Sequence, residues 1–458
     1  MKTAFNNKLA AAFCAICLMA STSVAFAGSP AQITLVFDLQ QCIKTALKTA
    51  PELGEADADT QFTASKLKEA KSHMLPQIDV MALFGPAPTA KRSDVNPFVK
   101  TDVSFKARNL TWFTSADMLI TQPLWTFGKI SENMKAATHG IEVNKAQKQQ
   151  KANEVVLEVK KYYYGLLLAR EMQTVLTELQ DYIEQGKKKV RQMIEDESPS
   201  GDEADIYKLE AYAGEINNYM AEARKGEQLA QAALKARLGL ADDVDLEIAD
   251  NRLAMATTEI PALDASITSA KVKRPEFKQL EEGLKARKAL VGAAKANYYP
   301  DIFLAGVLSW AYADDRERIK NPYIEDRFKH SYGGVALGAK WHLDFGITGA
   351  RVAAEQAQLN RLESTKIYAD NFIPLQIKKA WLEMQEAEQA AQSSQTAYKN
   401  AKKWGASALA NFDFGIGDAK EIYESVAVYG KMKAAYYQAI YDYNIANADL
   451  DYATGSTR

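Results

Sequence analysis

The chain contains one sequence unit twice. Residues 201–239 align without a gap on residues 417–455, at an offset of 216 positions, and a second series of matches farther upstream has an offset of 224. Identical pairs in the first series include Gly201/Gly417, Asp202/Asp418, Ile206/Ile422, Tyr207/Tyr423, Gly214/Gly430, Leu234/Leu450 and Gly239/Gly455. Solenoid repeats have periods of about 20 to 50 residues, so a unit of this length predicts two half-structures arranged around a common axis.

The N-terminus has the pattern of a secretory signal peptide. Lys2 and Lys8 precede an apolar stretch over residues 9–19, and Ala25-Phe26-Ala27 provides the small-x-small cleavage pattern. We therefore expect residues 1–27 to be removed. Cys42 is then the one cysteine of the mature chain, which excludes an internal disulfide and a cysteine metal cluster.

Composition and hydropathy narrow the function classes. The formal net charge is −2 with 25% charged residues, so a nucleic acid has no basic surface to bind. After residue 28 no run of 18 apolar residues occurs, which argues against a membrane-spanning helix. A secreted protein or a β-barrel membrane domain remains.

One helix of unusual length is predicted over residues 129–194. This stretch contains no proline, and its apolar residues from Val155 to Met193 follow the three-and-four spacing of coiled coils. At 1.5 Å per residue it would be roughly 99 Å long, far beyond the helices of ordinary globular domains. Such a helix needs equally long packing partners.

Two shorter helices stacked end to end provide these partners in each repeat. The first repeat, residues 28–250, combines helices 51–75 and 202–238 with the long helix. The second repeat, residues 251–458, has a long helix over 346–414 beside helices 275–299 and 418–454. Pro374 lies inside the second long helix, where we expect a kink or a break.

Each repeat also contains two predicted strands. In the first repeat they cover about 77–87 and 107–124, and in the second about 301–312 and 331–345. Ile78, Val80, Ala82 and Phe84 lie on one face of the first strand, with Asp79 and Met81 on the other, and each span suits a tilted strand that crosses a bilayer. Four strands cannot enclose a lumen, since the smallest membrane barrels have about eight, so a barrel would have to be shared between protomers.

Aromatic residues cluster near the strand ends. We predict that Trp112, Trp125, Trp310 and Trp341 lie at the membrane interface, although a sheet in a soluble protein would also carry aromatic residues.

Several segments together resemble the TolC-like outer membrane efflux channel family, also called outer membrane factors, over essentially the whole mature chain. They are Pro51-Glu52, Leu75-Pro76, QPLWTFGKISENMKAA at 122–137, WHLDFGITGARVAAEQ at 341–356, RPEFKQLEEGLKARKALVGAAKANYYPDI at 274–302, and the C-terminal stretch from NFDFGIGDAKEIYESV to Gly455. Each segment alone is weakly specific. Their order, spacing and duplication carry the resemblance.

The resemblance implies a mostly α fold with membrane β structure. A long α-helical coiled-coil barrel would form a periplasmic tunnel, and each chain would contribute four strands to a shared 12-stranded β-barrel in a homotrimer. The chain would lie in the outer membrane, surrounded by its lipid, with a periplasmic extension. Its partners would be a periplasmic adaptor (membrane fusion protein) and an inner-membrane transporter, in a tripartite efflux or type I secretion system. The transported substrate and the identity of the partners do not follow from the sequence.

The same resemblance implies a periplasmic gate. Glu421 and Glu424 match the acidic pair that narrows the entrance in the family, and Asp205 matches an acidic latch residue of the first repeat. The alternative is two ordinary solvated glutamates in the first turn of a helix, where acidic residues are favoured by the helix dipole. Gly417 stands where the family has a basic latch residue, and Phe412 replaces a tyrosine, so the means of holding the gate closed stays open.

Two helix-turn-helix tips are the expected contacts of the adaptor. The first tip comprises Ser200, Gly201 and Asp202, and the second comprises Gly415, Ile416, Gly417 and Asp418. Both sequences are equally compatible with capped turns that bind no partner.

An enzyme is not expected. The four histidines are scattered, and the sequence has no HExxH, GxSxG, P-loop or dinucleotide motif, so we predict no catalytic residue, cofactor or metal. The competing interpretation is a soluble periplasmic coiled-coil adaptor or structural protein. Residues 241–261 are expected to connect the repeats, in a role that the sequence leaves open.

Overall fold

The computed structural model describes residues 34–89, 110–197, 202–241, 243–257, 259–318, 323, 326–414 and 419–457. The predicted signal peptide lies outside these residues. The described elements follow the order of a duplicated unit. In chain order they are β1 (Thr34–Phe37), α1 (Leu39–Thr49), α2 (Pro51–Ser72), β2 (Gln77–Pro88), β3 (Leu110–Trp125), α3 (Lys129–Glu195), α4 (Glu203–Leu238), β4 (Asp245–Ile248), α5 (Leu263–Lys273), α6 (Pro275–Ala296), β5 (Asp301–Ala313), β6 (His330–Lys340), α7 (Ile347–Asp413) and α8 (Ala419–Thr454).

The long helices α3 and α7 each contain 67 residues, which corresponds to roughly 100 Å. In the first repeat α2 and α4 pack at different heights along α3, and in the second repeat α6 and α8 pack along α7. Contacts of α3 with both α6 and α8 join the two repeats side by side. The predicted class, mostly helical with four strands in two repeats, is confirmed.

Local sequence explains where the helices begin. Asp38 caps α1 by accepting the backbone N–H of Gln41, whose side chain accepts the backbone N–H of Asp38 in return. Pro51 and Pro275 occupy the first turns of α2 and α6, where a missing N–H costs nothing. Gly239 ends α4 with a φ of 65°, a left-handed conformation that glycine adopts without strain.

A four-stranded antiparallel sheet lies at one end of the helices, in the order β2-β3-β5-β6. All four connections between these strands and α2, α3, α6 and α7 leave from the same end of the sheet. The β2–β3 and β5–β6 connections therefore lie at the opposite end. A separate parallel pair, β1 with β4, brings the start of the described chain beside the segment that follows α4.

Buried residues fall into clusters along the helices. The largest lies where α1, α3, α4 and the β1–β4 pair meet, and it includes Cys42, Val159, Tyr163 and Leu166. Burial and the nearby Asp38 raise the pKa of the Cys42 thiol to about 12, so this cysteine is a neutral core residue. No described helix combines the length and the apolar character needed to cross a membrane.

Several predicted boundaries differ from the structure. Helix α2 ends at Ser72 rather than residue 75, and α6 at Ala296 rather than residue 299, because tight turns precede Pro76 and Pro300. The predicted strand 331–345 ends at Lys340. Asp344 instead accepts the backbone N–H groups of Gly346 and Thr348 and so prepares the start of α7.

Helix α7 continues through Pro374, so the predicted alternative of a break is wrong, and the alternative of a kink stays a prediction. Residues 107–109 of the second predicted strand lie outside the described residues.

Candidate functional site

The register of the sheet separates its side chains into two faces of opposite chemistry. Ile78, Ile120, Gly306 and Val335 lie side by side on one face, and the next row on the same face contains Val80, Met118, Leu308 and Gly333. We call this the apolar face. It consists of Ile78, Val80, Ala82, Phe84, Trp112, Thr114, Ala116, Met118, Ile120, Leu304, Gly306, Leu308, Trp310, Tyr312, Ser331, Gly333, Val335, Leu337 and Ala339.

The apolar face carries no charged residue, yet it is exposed in the protomer. Val80 is 63% exposed, Leu308 54% and Val335 75%. Contiguous exposed apolar surface of this extent indicates a membrane or protein interface rather than contact with water.

The opposite face, which we call the polar face, carries the ionisable side chains of the strands. Asp117 and Ser309 are cross-strand neighbours there, and the Ser309 hydroxyl donates to Asp117 Oδ1 over 2.5 Å. His330 Nε2 lies 2.6 Å from the same hydroxyl. The alternation of the strands thus separates an apolar exterior from a hydrogen-bonded interior, as in membrane barrels.

Aromatic side chains mark both ends of the apolar face. At the end farther from the helices, Phe84 stacks on Trp112 with ring centroids 5.2 Å apart, and Trp310 stacks on Tyr312 at 6.5 Å. All four are 46% exposed or more. This end has the composition of an interface belt.

The end nearer the helices carries the second aromatic group. Trp125 packs edge-on against Phe127, which stacks on Tyr299, and Trp341 Nε1 donates to the backbone oxygen of Tyr298 over 3.1 Å. A register shift between Pro123 and Trp125 pairs Trp125 with Ile302, which keeps Trp125 on the apolar side.

The four predicted interface tryptophans therefore form two groups, Trp112 with Trp310 and Trp125 with Trp341. The 13 residue steps from Trp112 to Trp125 span about 43 Å along the strand, or about 30 Å across a bilayer at a tilt of 45°.

The predicted gate residues lie at the other end of the molecule, where α4 and α8 begin. Glu421 accepts a bond from Trp404 Nε1 of α7 over 3.3 Å, and Glu424 pairs with Lys420 at 3.7 Å. Both glutamates are exposed. They share a face of α8, as their spacing predicts.

Asp205, the third predicted gate residue, lies in the first turn of α4. It is buried and pairs with Lys208 of its own helix at 2.9 Å. Asp202 caps the same helix by accepting the backbone N–H of Ala204. The other predicted tip residues, Ser200, Gly201, Gly415, Ile416, Gly417 and Asp418, lie outside the described residues.

Two contacts between the repeats were missed by the sequence analysis. The Lys189 ammonium of α3 lies 4.7 Å from the centroid of the Phe412 ring of α7. Farther from the tips, Glu178 of α3 contacts both Tyr429 and Lys433 of α8. No spacing rule joins residues more than 200 positions apart, so the sequence held no signal for either contact.

Comparison with known proteins shows what the chain resembles. Residues 266–456 match the model of the outer membrane efflux protein family. The comparison with curated protein sequences gave no match.

Several solved structures share the fold over nearly the whole chain. The outer-membrane channel OprN is 16% identical, with 91% of this chain and 90% of that chain covered and a TM-score of 0.76. The CmeC outer membrane channel of Campylobacter jejuni is 16% identical, with coverages of 92% and 86% and a TM-score of 0.73. The outer membrane protein VceC of Vibrio cholerae is 13% identical, with coverages of 91% and 96% and a TM-score of 0.75.

At these identities the structural likeness concerns the fold, while the family model supplies the relationship. The chain is therefore similar to outer membrane efflux proteins over residues 266–456, and it has the fold of solved outer membrane channels over nearly its whole length.

Proposed function

We propose that the protein is the outer membrane channel of a tripartite efflux or type I secretion system, and that it acts as a passive exit duct. Three chains would form one channel, with a β-barrel in the membrane and a helical tunnel in the periplasm. Energy and substrate choice would come from an inner-membrane transporter, joined to the channel by a periplasmic adaptor.

The sheet is the observation that carries this proposal. Its apolar face fits lipid, its polar face fits a water-filled lumen, and the aromatic groups are separated by about the thickness of a bilayer. The outer edges of β2 and β6 pair with no other described strand. Unpaired edges are not tolerated in lipid, so they favour closure with neighbouring copies.

A trimer is the assembly that we propose, since three sheets of four strands give the 12-stranded barrel implied by the resemblance. The helices support it independently. Within the protomer α4 and α7 lie at the two sides of the helical layer, and both expose large apolar residues. These include Leu229, 69% exposed, on α4 and Leu382, 49% exposed, on α7. Contact between α4 of one copy and α7 of the next would bury them.

For the periplasmic entrance we propose the gate implied by the resemblance. Glu421 and Glu424 are exposed near the start of α8, so a trimer would bring six carboxylates to one narrow region. Such a ring attracts cations and repels anions. Asp205 would act as a latch residue from the first repeat, and the two tips would contact the adaptor. The docking proposal rests on the resemblance.

Fractionation of cells tests the channel against its competitor. We expect the protein to be extracted only by detergent, to migrate as a heat-labile trimer, and to produce ion-conducting steps in planar bilayers. A soluble periplasmic adaptor would instead be released by osmotic shock and would give no conductance. That second result would refute the proposed function.

A further inference from the structure

The interface between α3 and α6 joins the two repeats within one chain, in the half of the molecule nearer the sheet. Three contacts mark its register: Phe127 with Tyr299, Val143 with Gly283, and Gln150 with Gln279. The first is a ring stack with centroids 5.0 Å apart, and the third is a hydrogen bond of 2.8 Å between the two side-chain amides. In the second, a Cβ atom built on Gly283 would lie 3.9 Å from Val143 Cγ2. These pairs define which positions of α3 and α6 are neighbours.

The duplication gives every residue of this interface an equivalent in the other repeat. The turns Phe127-Gly128 and Phe345-Gly346 have positive φ at all four residues, and each precedes a helix of 67 residues. Helix α7 begins 218 positions after α3. Pro51 and Pro275 each begin a helix of 22 residues, and α6 begins 224 positions after α2. Equivalent positions therefore follow from these two offsets.

The equivalents of the three contacts lie at opposite sides of the protomer. They are Phe345 with Leu75, Arg361 with Asp59, and Tyr368 with Glu55. Helix α2 contacts α3, α3 contacts α6 and α6 contacts α7, so α2 and α7 are the outer helices of this layer. The sheet has the same order, with β2 and β6 at its edges. If β6 of one copy joins β2 of the next to close a barrel, α7 of that copy also meets α2 of the next.

The equivalent faces of α7 and α2 are uncovered in one chain. Phe345 is 100% exposed, whereas Phe127, its equivalent beside α6, is 40% exposed. Arg361 is exposed, whereas its equivalent Val143 is half-buried. Asp59 on α2 is exposed as well. The protomer thus leaves open the two faces that correspond to its own internal contact.

The equivalent pairs are chemically complementary. Arg361 and Asp59 carry opposite charges, and neither side chain forms an ion pair within the part of the chain that the structure describes. The Tyr368 hydroxyl is a donor that suits the Glu55 carboxylate. Phe345 and Leu75 are both apolar. No pair brings like charges together, although the residue types differ from those of the α3–α6 interface.

We infer that α7 of one copy packs on α2 of the next in the register of the internal α3–α6 interface, with Arg361 paired to Asp59 of the neighbouring copy. The inference rests on the proposed function, since it takes the neighbour to be a second copy in a closed barrel. The two surfaces differ, so each copy uses one of them toward either neighbour, and such a contact can close into a ring. The upper wall of the channel then consists of six similar units, alternately joined within and between chains.

Disulfide cross-linking tests this register. The double variant Asp59→Cys with Arg361→Cys should form disulfides between copies on mild oxidation, because a disulfide needs Cα atoms within about 7 Å of each other. Each chain carries one cysteine of each kind, so the expected product is a covalent trimer that survives heating in SDS without reductant. Each single variant should stay uncross-linked, and Cys42 of the parent chain is fully buried, so its background is low.

Asp59→Cys with Tyr368→Cys is the matched control. Tyr368 lies two turns from Arg361 on the same side of α7, about 10 Å farther along the helix, and it is also exposed. We expect no covalent trimer from this pair. Equal cross-linking of both pairs, or cross-linking of the control pair alone, would overturn the inferred register.

An exchange of charges tests the ion pair without cysteines. Asp59→Arg and Arg361→Asp should each lower the temperature at which the trimer dissociates in SDS, because each places like charges opposite one another three times in a trimer. The double variant restores opposite charges and should regain most of the loss. A double variant that is no more heat-resistant than either single variant would refute the pairing.

The heat-labile trimer of the parent protein separates this inference from the proposed function. If the parent forms no trimer, the proposed channel and the inferred interface fail together. If Asp59→Cys with Arg361→Cys forms the same heat-labile trimer as the parent but no disulfide, the register alone is refuted and the proposed function stands.

Discussion

Glu178 of α3 accepts a hydrogen bond from the hydroxyl of Tyr429 on α8, with 2.9 Å between the two oxygens. Lys433, one turn farther along α8, contacts the other carboxylate oxygen of Glu178. Burial, and secondarily the neighbouring carboxylate, raise the pKa of Tyr429 well above its usual value, so its hydroxyl remains a donor. This contact joins the first repeat to the second in the part of the helices that would form the tunnel wall.

Loss of the Glu178 carboxylate should therefore weaken the seam between the repeats. We expect Glu178→Ala to lower the free energy of unfolding by about 2 kcal/mol, because it leaves the largely buried Lys433 ammonium unpaired, and Tyr429→Phe to lower it by about 1 kcal/mol. Glu184→Ala is the control, since Glu184 is exposed and pairs with Lys187 of its own helix; we expect a change below about 0.5 kcal/mol. Denaturant titration of the detergent-solubilised protein measures all three. Equal effects of Glu178→Ala and Glu184→Ala would contradict this account.

The equivalent glycines of the two repeats should respond differently to alanine. A Cβ atom at Gly430 on α8 would clash with the Leu179 side chain of α3, whereas nothing lies within 4 Å of a Cβ atom at Gly214 on α4. We expect Gly430→Ala to destabilise by about 1–3 kcal/mol through overpacking. In the unassembled protomer Gly214→Ala should stabilise by about 0.5–1 kcal/mol, because alanine favours the helix, whereas the proposed contact of α4 with a neighbouring copy would reduce or reverse this gain in the trimer. The comparison uses thermal unfolding of both variants, and destabilisation by Gly214→Ala would show that a neighbouring chain contacts this site.

The duplication, the long helices and the strand pairs follow from local patterns in the sequence. The positions of prolines and the spacing of apolar residues can be read directly from the sequence. For this reason the predicted helix over 129–194 agrees with α3 to within one residue at both ends. The end of β6 was misplaced because residues 341–345 alternate like a strand. In the structure the strand ends before these residues, because the carboxylate of Asp344 accepts the backbone N–H of Thr348 and caps α7.

The contacts that position the candidate site depend on tertiary structure. Arg316 and Asp326 are two of many charges in one loop, and the sequence does not reveal that they form a buried ion pair. Gly214 and Gly430 occupy equivalent positions in the two repeats, yet their packing differs. Helix α8 contacts both α7 and α3, and Gly430 lies against Leu179 of α3, whereas nothing lies within 4 Å of a Cβ atom at Gly214 on α4. Periodicity predicts which face of a helix is buried and leaves the identity of the partner undetermined.

Charged substitutions should distinguish the two faces of the sheet. Leu308 on the apolar face and Val307 on the polar face are adjacent in β5, and both are exposed in the protomer. We expect Leu308→Lys to destabilise the assembled barrel by about 2–4 kcal/mol, because the ammonium would face lipid. Val307→Lys should assemble almost normally, since its ammonium would face water. The yield of heat-labile trimer in the membrane fraction measures both. Equal yields would argue that neither face contacts lipid.

Acid should weaken a second contact between the repeats. Glu282 of α6 pairs with Lys285 at 2.8 Å and with His139 of α3 at 2.6 Å. Lys285, and secondarily His139, hold the pKa of Glu282 below its ordinary value of 4.5. A lowered carboxyl pKa gives stability that is fully present above the unfolded pKa and is lost as the pH falls through the folded one.

We therefore expect the parent protein to lose stability through this site as the pH falls below the ordinary carboxyl pKa of 4.5, and the Glu282→Gln variant to lack that component. Glu281→Gln is the control, because Glu281 pairs with the same lysine but is more exposed and does not contact α3. Unfolding curves at several pH values provide the measurement. A pH dependence in Glu282→Gln that matches the parent would exclude this contact as the cause.

Removal of the proposed gate charges should change the channel without changing the fold. Glu421 and Glu424 are exposed near the start of α8, so alanine at both positions removes six carboxylates from a trimer at little cost in stability. We expect single-channel conductance in planar bilayers to rise about twofold and cation selectivity to fall, because the entrance becomes wider and less negative. Glu383→Ala with Glu386→Ala is the matched control: these exposed residues have the same spacing on α7 but lie about 45 Å along the helix from its tip end. That pair should leave both quantities near the parent values, and a gate variant that behaves like the control would remove the assignment.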